Sequence, residues 1–261
     1  MLSDAATRWL AVGVLATLGA ALLAWVVHQY RRRTYTLRQF PIYMFSLVIT
    51  RVLWRAKVEG RVSIAAGQGA VIVCNHLGPV DPAFIALASG RQVHWMVAKE
   101  YVESPLYAWA FRALEVIPVN RGGIDTASTK TAVRYARQGD LVGLFPEGRI
   151  NSSRTRFMLP GRPGAALIAL RARVPVVPCY ITGSPYDGTD YGFFFLSAKT
   201  RVKVGQPIDM APYLAREHEP GILEDLTRRI MVEIAQLAGI PNYQPEIAGR
   251  NWRRAEIIEH D

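Results

Sequence analysis

His76 and Asp81 have the side-chain types of an acid–base pair and stand five positions apart at one turn of the chain. The run Val71-Ile72-Val73-Cys74-Asn75 is apolar and β-branched, as a buried strand would be. Asp81-Pro82 reads as a helix cap followed by proline at the first helical position. His76 is therefore expected in a strand-to-helix loop. Five residues of straight helix would turn the two side chains apart, but Gly78 and Pro79 allow the loop to fold Asp81 back onto the imidazole. A carboxylate bonded to one ring nitrogen fixes the tautomer and stabilises the imidazolium. The other nitrogen can then take a proton from a hydroxyl. Cys74 is a competing nucleophile, because residues two apart on a strand project to the same side. Its alternative role is that of a small packed hydrophobe at a strand end.

Three later segments extend the pattern. Val116-Ile117-Pro118-Val119-Asn120-Arg121-Gly122, Leu144-Phe145-Pro146-Glu147-Gly148-Arg149 and Val174-Pro175-Val176-Val177-Pro178 follow Asn75-His76…Asp81 in that order. Together, over roughly residues 60 to 210, they resemble the four ordered blocks of the glycerolipid acyltransferases, the lysophosphatidate acyltransferase-like family, whose first block is a His-x4-Asp motif. The resemblance implies a membrane-bound enzyme of phospholipid biosynthesis that makes phosphatidate. Acyl-CoA or acyl-carrier protein would be the donor, and the hydroxyl of 1-acylglycerol 3-phosphate the acceptor. It also implies direct transfer through a ternary complex, with no cofactor and no metal, His76 as base and Asp81 orienting it. Arg121 becomes the candidate clamp for the acceptor phosphate. Glu147 would orient an arginine or accept a glycerol hydroxyl, Gly148 would let the backbone approach the ligand, and Arg149 would add a second positive charge. The chain departs from the family at two places: Gly78 stands where serine is usual, and Arg149-Ile150-Asn151 replaces the usual Thr-Arg-Ser, moving the arginine by one residue. Another lysolipid acceptor, such as lyso-ornithine lipid, and a non-catalytic membrane-tethered binder of anionic ligands are the rival readings.

These residues need a scaffold. Short apolar strands are expected near 69–75, 92–98, 115–119, 141–145, 174–181 and 200–205, with helices near 82–89, 104–113, 125–138, 161–172 and 220–238. Such alternation implies an α/β domain with a single mixed, partly parallel sheet flanked by helices. Phe193-Phe194-Phe195-Leu196 reads as core or as the lining of an acyl-chain channel. The expected organisation is a membrane anchor at 1–33, an interfacial helical segment at 34–60, the acyltransferase domain at 61–240 and a polar, mixed-charge, loosely ordered tail at 241–261.

Trp9 to Val27 is a run of 19 apolar or small residues, about 28 Å as a helix and close to the ~30 Å hydrocarbon core. A retained single span fits better than a cleaved signal, since the n-region is hardly basic and Arg31-Arg32-Arg33 stands where a cleavage site would be. The same arginines place everything after them on the cytoplasmic face. Phe40 to Trp54 reads as an interfacial helix with Leu47, Val48 and Trp54 at the headgroup boundary and Arg51, Arg55, Lys57 and Arg61 toward anionic lipid. The chain carries 31 Lys and Arg against 21 Asp and Glu, a net +10. Arg149, Arg154, Arg156, Arg162, Arg171 and Arg173 lie in a stretch without an acid, which suits anionic phospholipid, coenzyme A phosphates or an acidic carrier protein. No aromatic-interleaved or helix-turn-helix pattern accompanies the charge, so nucleic acid is not an expected partner. Two cysteines in 261 residues give no disulfide framework.

Overall fold

The computed structural model describes residues 4–31, 33–120, 125–153, 155–189 and 191–249. Arg32, Arg121, Arg154 and the end of the tail, with Trp252, lie outside the described residues. Helices α1 (Asp4–Arg31) and α2 (Phe40–Val52) lead into β1 (Lys57–Glu59), β2 (Ala70–Cys74), α3 (Asp81–Ser89) and β3 (Val93–Ala98). Next come α4 (Lys99–Val102), α5 (Ala108–Ala113), β4 (Ile117–Val119), α6 (Thr126–Arg137) and β5 (Leu141–Leu144). The chain continues through α7 (Gly164–Ala172), β6 (Val176–Thr182), a short 3-10 turn (Gly192–Phe195), β7 (Arg201–Val204), α8 (Ala211–Leu214) and α9 (Ile222–Leu237).

Among the described residues the strands form one sheet in the order β1-β7-β6-β2-β5-β3-β4. The β6–β7 pairing is antiparallel and every other pairing is parallel, so the sheet is mixed, as the alternation of strands and helices implies. Central β2 is buried along its whole length because helices cover both faces. Val71 and Val73 pack with α6, α7 and α9, while Ala70, Ile72 and Cys74 pack with Phe84 and Ile85 of α3, Trp54 and Trp95. The two faces therefore carry different helices, and α2 lies over α3 on the second of them.

Local chemistry sets the element ends. The Asp125 carboxylate caps α6 by accepting from Ser128 N at 2.9 Å. Gly90 closes α3 with φ +67, the left-handed geometry that glycine adopts without steric cost. The helix expected over 104–113 is shorter: α5 fills only its second half, and α4 ends at Val102, before the expected start.

Several expectations are corrected. Asp81 is the first residue of α3 and not its cap; Val80 holds the cap position, and the Asp81 side chain is turned to the loop before it. Trp54 is 1 % exposed and packs edge-on against Phe84 and Phe193, its indole N–H donating to the Phe193 and Leu196 carbonyls. An indole with its N–H satisfied inside the protein gains more from core burial than from a headgroup boundary. Residues 57–59 belong to the sheet as β1. The tail from Pro241 to Gly249 is docked: Gly161 N donates to Glu246 O at 2.8 Å, Ala248 N to Gly161 O at 2.9 Å, and Tyr243 packs edge-on against Phe157. The Phe193–Phe195 run divides: Phe193 is core and, with Phe194, lines the large cavity, as expected, whereas Phe195 is 84 % exposed.

Burial of Trp54 sets a stability test. Trp54→Ala should lower the unfolding free energy of the full chain in detergent by about 3–5 kcal/mol, read by urea denaturation. An unchanged midpoint would return Trp54 to the lipid boundary.

Candidate active site

β2 ends at Cys74, and the loop to α3 crosses the carboxyl ends of the parallel strands, where an open α/β sheet forms its crevice. In this loop His76 Nδ1 lies 2.9 Å from Asp81 Oδ2. The same oxygen accepts Leu77 N–H at 2.7 Å and Gly78 N–H at 3.0 Å. Three donors converge on one buried carboxylate oxygen, and so the loop wraps around the side chain that it must position. The imidazole stacks on Phe145 at 3.7 Å with only 4° between planes, and Phe145 stacks on Trp95 at 4.9 Å. Gly143 makes room for that stack, since a Cβ there would come within 2.6 Å of the Trp95 ring. With Nδ1 engaged, Nε2 is the nitrogen left for proton transfer.

Glu147 is wholly buried beside this turn. Its Oε1 accepts His76 N–H and its Oε2 accepts Leu159 N–H, each at 2.8 Å. The expectation that Glu147 orients an arginine or receives a substrate hydroxyl is therefore corrected: each oxygen holds backbone, and what the carboxylate orients is the loop of His76. Burial pushes its pKa up to about 7, with the Asp81 charge adding to the rise and the two backbone bonds opposing it. Gly148 lines the cavity that His76 also lines, where its backbone can approach a ligand, and it has a second role. It has φ +71, and a Cβ there would stand 3.0 Å from Arg162 Cδ, so the glycine admits an arginine stem.

Two asparagines complete the lacing. Asn75 extends the sheet past the last strand pair, its Oδ1 accepting Ile181 N–H at 2.8 Å and its Nδ2 donating to Ile181 O at 2.9 Å. Asn151 N donates to His76 O at 2.8 Å, and its side chain reaches the Arg156 and Phe157 carbonyls. Neither role was anticipated, although a buried asparagine at the end of an apolar strand is a sequence cue for backbone clamping.

His76 lines a cavity of about 710 Å³. Its walls are mainly apolar and aromatic, from Tyr43, Ile49, Trp95, Phe111 and Phe194, and Asn120, Arg149 and Arg162 also line it. Arg149 is thus brought to the site, and Arg162, noted in sequence only as part of a basic stretch, joins it. Arg121 lies outside the described residues. Cys74 is fully buried, its thiol pKa raised well above the usual value by desolvation and by the neighbouring Cys179. A thiol held protonated in the core is not the nucleophile. Among the described residues no three His, Cys, Asp or Glu side chains converge to hold a metal ion. The arrangement can remove a proton from a hydroxyl at the edge of a largely apolar cavity that carries cations.

An acyltransferase family model matches residues 55–182. The 1-acyl-sn-glycerol-3-phosphate acyltransferase of Bacillus subtilis (strain 168) is 30% identical over 189 residues, which cover 70% of this chain and 90% of that one. The like-named enzyme of Streptococcus pneumoniae is 28% identical over 171 residues, 64% of this chain and 60% of that one. In three dimensions the 1-acyl-sn-glycerophosphate (LPA) acyltransferase PlsC of Thermotoga maritima shares the fold, with a TM-score of 0.58 at 20% identity, over 80% of this chain and 83% of that one. The four motif blocks, the mixed sheet that carries them and the identity along nine-tenths of the Bacillus relative agree: the chain is an acyltransferase and belongs to the lysophosphatidate acyltransferase-like family.

Proposed function

We propose that the protein transfers a fatty acyl group from acyl-CoA or acyl-carrier protein to the free hydroxyl of 1-acylglycerol 3-phosphate, forming phosphatidate. The observation that carries this reading is the His76–Asp81 contact of 2.9 Å at the edge of an apolar cavity that Arg149 and Arg162 also line. His76 Nε2 takes the proton as the acceptor oxygen bonds to the thioester carbonyl carbon. The Asp81 charge stabilises the imidazolium. Collapse of the tetrahedral intermediate breaks the carbon–sulfur bond, and the imidazolium returns its proton to the leaving thiolate. Arg149 and Arg162, with Arg121 from the second motif block, hold the acceptor phosphate. The close alternative, a lysolipid with another headgroup, is favoured by the displaced arginine at 149 and by the commitment of Asn151 to the loop.

The same reading places the enzyme on a membrane, with 1–33 as anchor and the catalytic domain, 61–240, on the cytoplasmic face. Helix α1 is long and apolar enough to cross a bilayer, and its apolar side chains, Leu15, Leu18, Leu22 and Leu23 among them, face outward. Helix α2 buries Tyr43 and Thr50 and leaves Phe45, Val48 and Val52 exposed, as an interfacial helix would. The acyl chains then enter the cavity from the lipid side.

In folded protein His76→Ala should lower kcat by ~10² to 10⁴-fold, the usual contribution of a general base. Asp81→Asn should lower it with the imidazole still in place. Loss of less than about tenfold in His76→Ala would remove the base from the mechanism.

The Glu147 pKa stands above the ordinary carboxyl value of 4.5, so folding favours the protonated form. The folded chain holds this proton from about pH 4.5 to about 7 while the unfolded chain releases it, and stability falls across that window as pH rises. The slope is worth up to about 3 kcal/mol. Glu147→Gln should flatten it and lower kcat, since an amide NH₂ meets a backbone N–H. Parallel pH–stability curves for the two proteins in urea melts would refute the assignment.

Arg149→Ala and Arg162→Ala should each raise KM for lysophosphatidate by roughly ten- to 150-fold, the cost of one charge-assisted contact. The effect should shrink for a lysolipid that lacks the terminal phosphate. Equal KM changes for both acceptors would favour the other-headgroup reading.

A further inference from the structure

A second groove, of about 420 Å³, lies away from the cavity and is lined by Lys130, Val133, Arg134, Arg137, Gln138 and Arg171. Lys130, Arg134 and Arg137 recur at i, i+4 and i+7, so they share one face of α6 over roughly 10 Å of helix. Arg171 approaches from α7. All four are exposed, and among the described residues no carboxylate lines the groove. Like charges one turn apart disfavour a helix, so the helix itself gains nothing from pairing Lys130 with Arg134. Two of the guanidinium groups are held in place: Arg137 Nη2 donates to Arg171 O at 2.6 Å, and Arg134 lies 4.9 Å over the Tyr135 ring. Fixed cations lose less side-chain freedom when a partner arrives.

Position in the fold narrows the partner. Helices α6 and α7 cover the sheet face opposite α2 and α3, so a bilayer that receives α2 is on the other side of the domain. The groove is open to a soluble partner. It also belongs to the helix that reaches the active site, because Asp125, Ser128 and Thr129 at the start of α6 line the catalytic cavity. Arg137 is nine residues beyond Ser128, about 13 Å along the axis. A single phosphate spans one or two of these cations, whereas the stripe matches an extended acidic surface.

We infer that the Lys130–Arg134–Arg137 stripe with Arg171 docks an acidic acyl carrier protein, whose extended thioester arm follows α6 to the cavity. The inference rests on the acyl-transfer reading and selects a donor within it. Charge attraction of this kind acts mainly on encounter and on salt dependence.

The test uses the full chain in detergent, with the triple variant Lys130→Glu, Arg134→Glu, Arg137→Glu and a milder Lys130→Ala, Arg134→Ala pair in case the reversal fails to fold. Each is assayed with an acyl-carrier-protein thioester and with acyl-CoA of the same chain length, and binding of the unacylated carrier is titrated separately. The carrier thioester KM and the carrier Kd should rise at least tenfold in the triple variant and lose their salt dependence, with kcat held and the acyl-CoA KM within twofold. An unchanged carrier Kd, or equal weakening toward both donors, overturns the docking site. Failure of the unaltered protein to bind the carrier does the same while leaving transfer from acyl-CoA intact. If neither donor yields product yet the carrier binds in a stripe-dependent way, the reaction assignment fails and the docking surface stands.

Discussion

Two carboxylates, Asp81 and Glu147, are buried beneath one histidine, and a buried carboxylate is tolerable only where N–H donors surround it. That demand shapes the centre of the molecule. Asp81 gathers the imidazole and two backbone amides of its own loop, while Glu147 ties that loop to the chain at Leu159. The strand ends, the aromatic stack under the imidazole and the asparagine clamps are arranged around Asp81 Oδ2 and both Glu147 oxygens, while Asp81 Oδ1 is buried without a partner among the described residues. For Glu147 the result is a tension: the ionised form accepts both amides, yet burial and the Asp81 charge favour the protonated one. A pKa near neutrality expresses the balance, and order at the histidine is maintained at some expense in stability.

Residue spacing offered the histidine and the carboxylate as a pair at a strand-to-helix turn, and the later motif blocks in family order singled them out; in the fold the two side chains lie 2.9 Å apart. The alternation of apolar runs disclosed a layered α/β domain, because β2 and β5 are buried on both faces and leave a continuous apolar run in sequence. Other features were illegible for definite reasons. The partners of Glu147 are backbone amides, and one of them lies twelve residues away in a loop of no regular structure. β1 is three residues long and polar at both ends, so it has no periodicity to read. Trp54 follows a helix with an exposed apolar side, and the groups that draw its indole inside, Phe84 and the Phe193 and Leu196 carbonyls, are distant in sequence. Arg162 reaches the site because glycine at 148 leaves room for its stem, a complementarity between residues fourteen positions apart.

The docked tail illustrates the same limit. Residues 241–249 have the mixed composition of a free end. Backbone bonding to Gly161, the Arg156–Glu246 pair at 2.8 Å and the Tyr243–Phe157 contact nevertheless hold them on the segment that contains Leu159. Composition records what a segment can bury by itself. It does not record which carbonyls a distant loop leaves open.

The edge pairing of β1 with β7 bears on how such a chain is made. Lys57–Glu59 follows directly from the helices nearest the amino terminus, and its partner, Arg201–Val204, lies about 140 residues later. A ribosome adding roughly 5–20 residues per second needs many seconds to produce the second strand after the first. During that interval β1 waits with an open edge, and Trp54, Arg55 and Lys57 wait for the carbonyls of Phe193, Leu196, Ala198 and Thr200. The two amino-terminal helices are therefore complete before the sheet closes, and the finished domain is fastened to them by its own last strand.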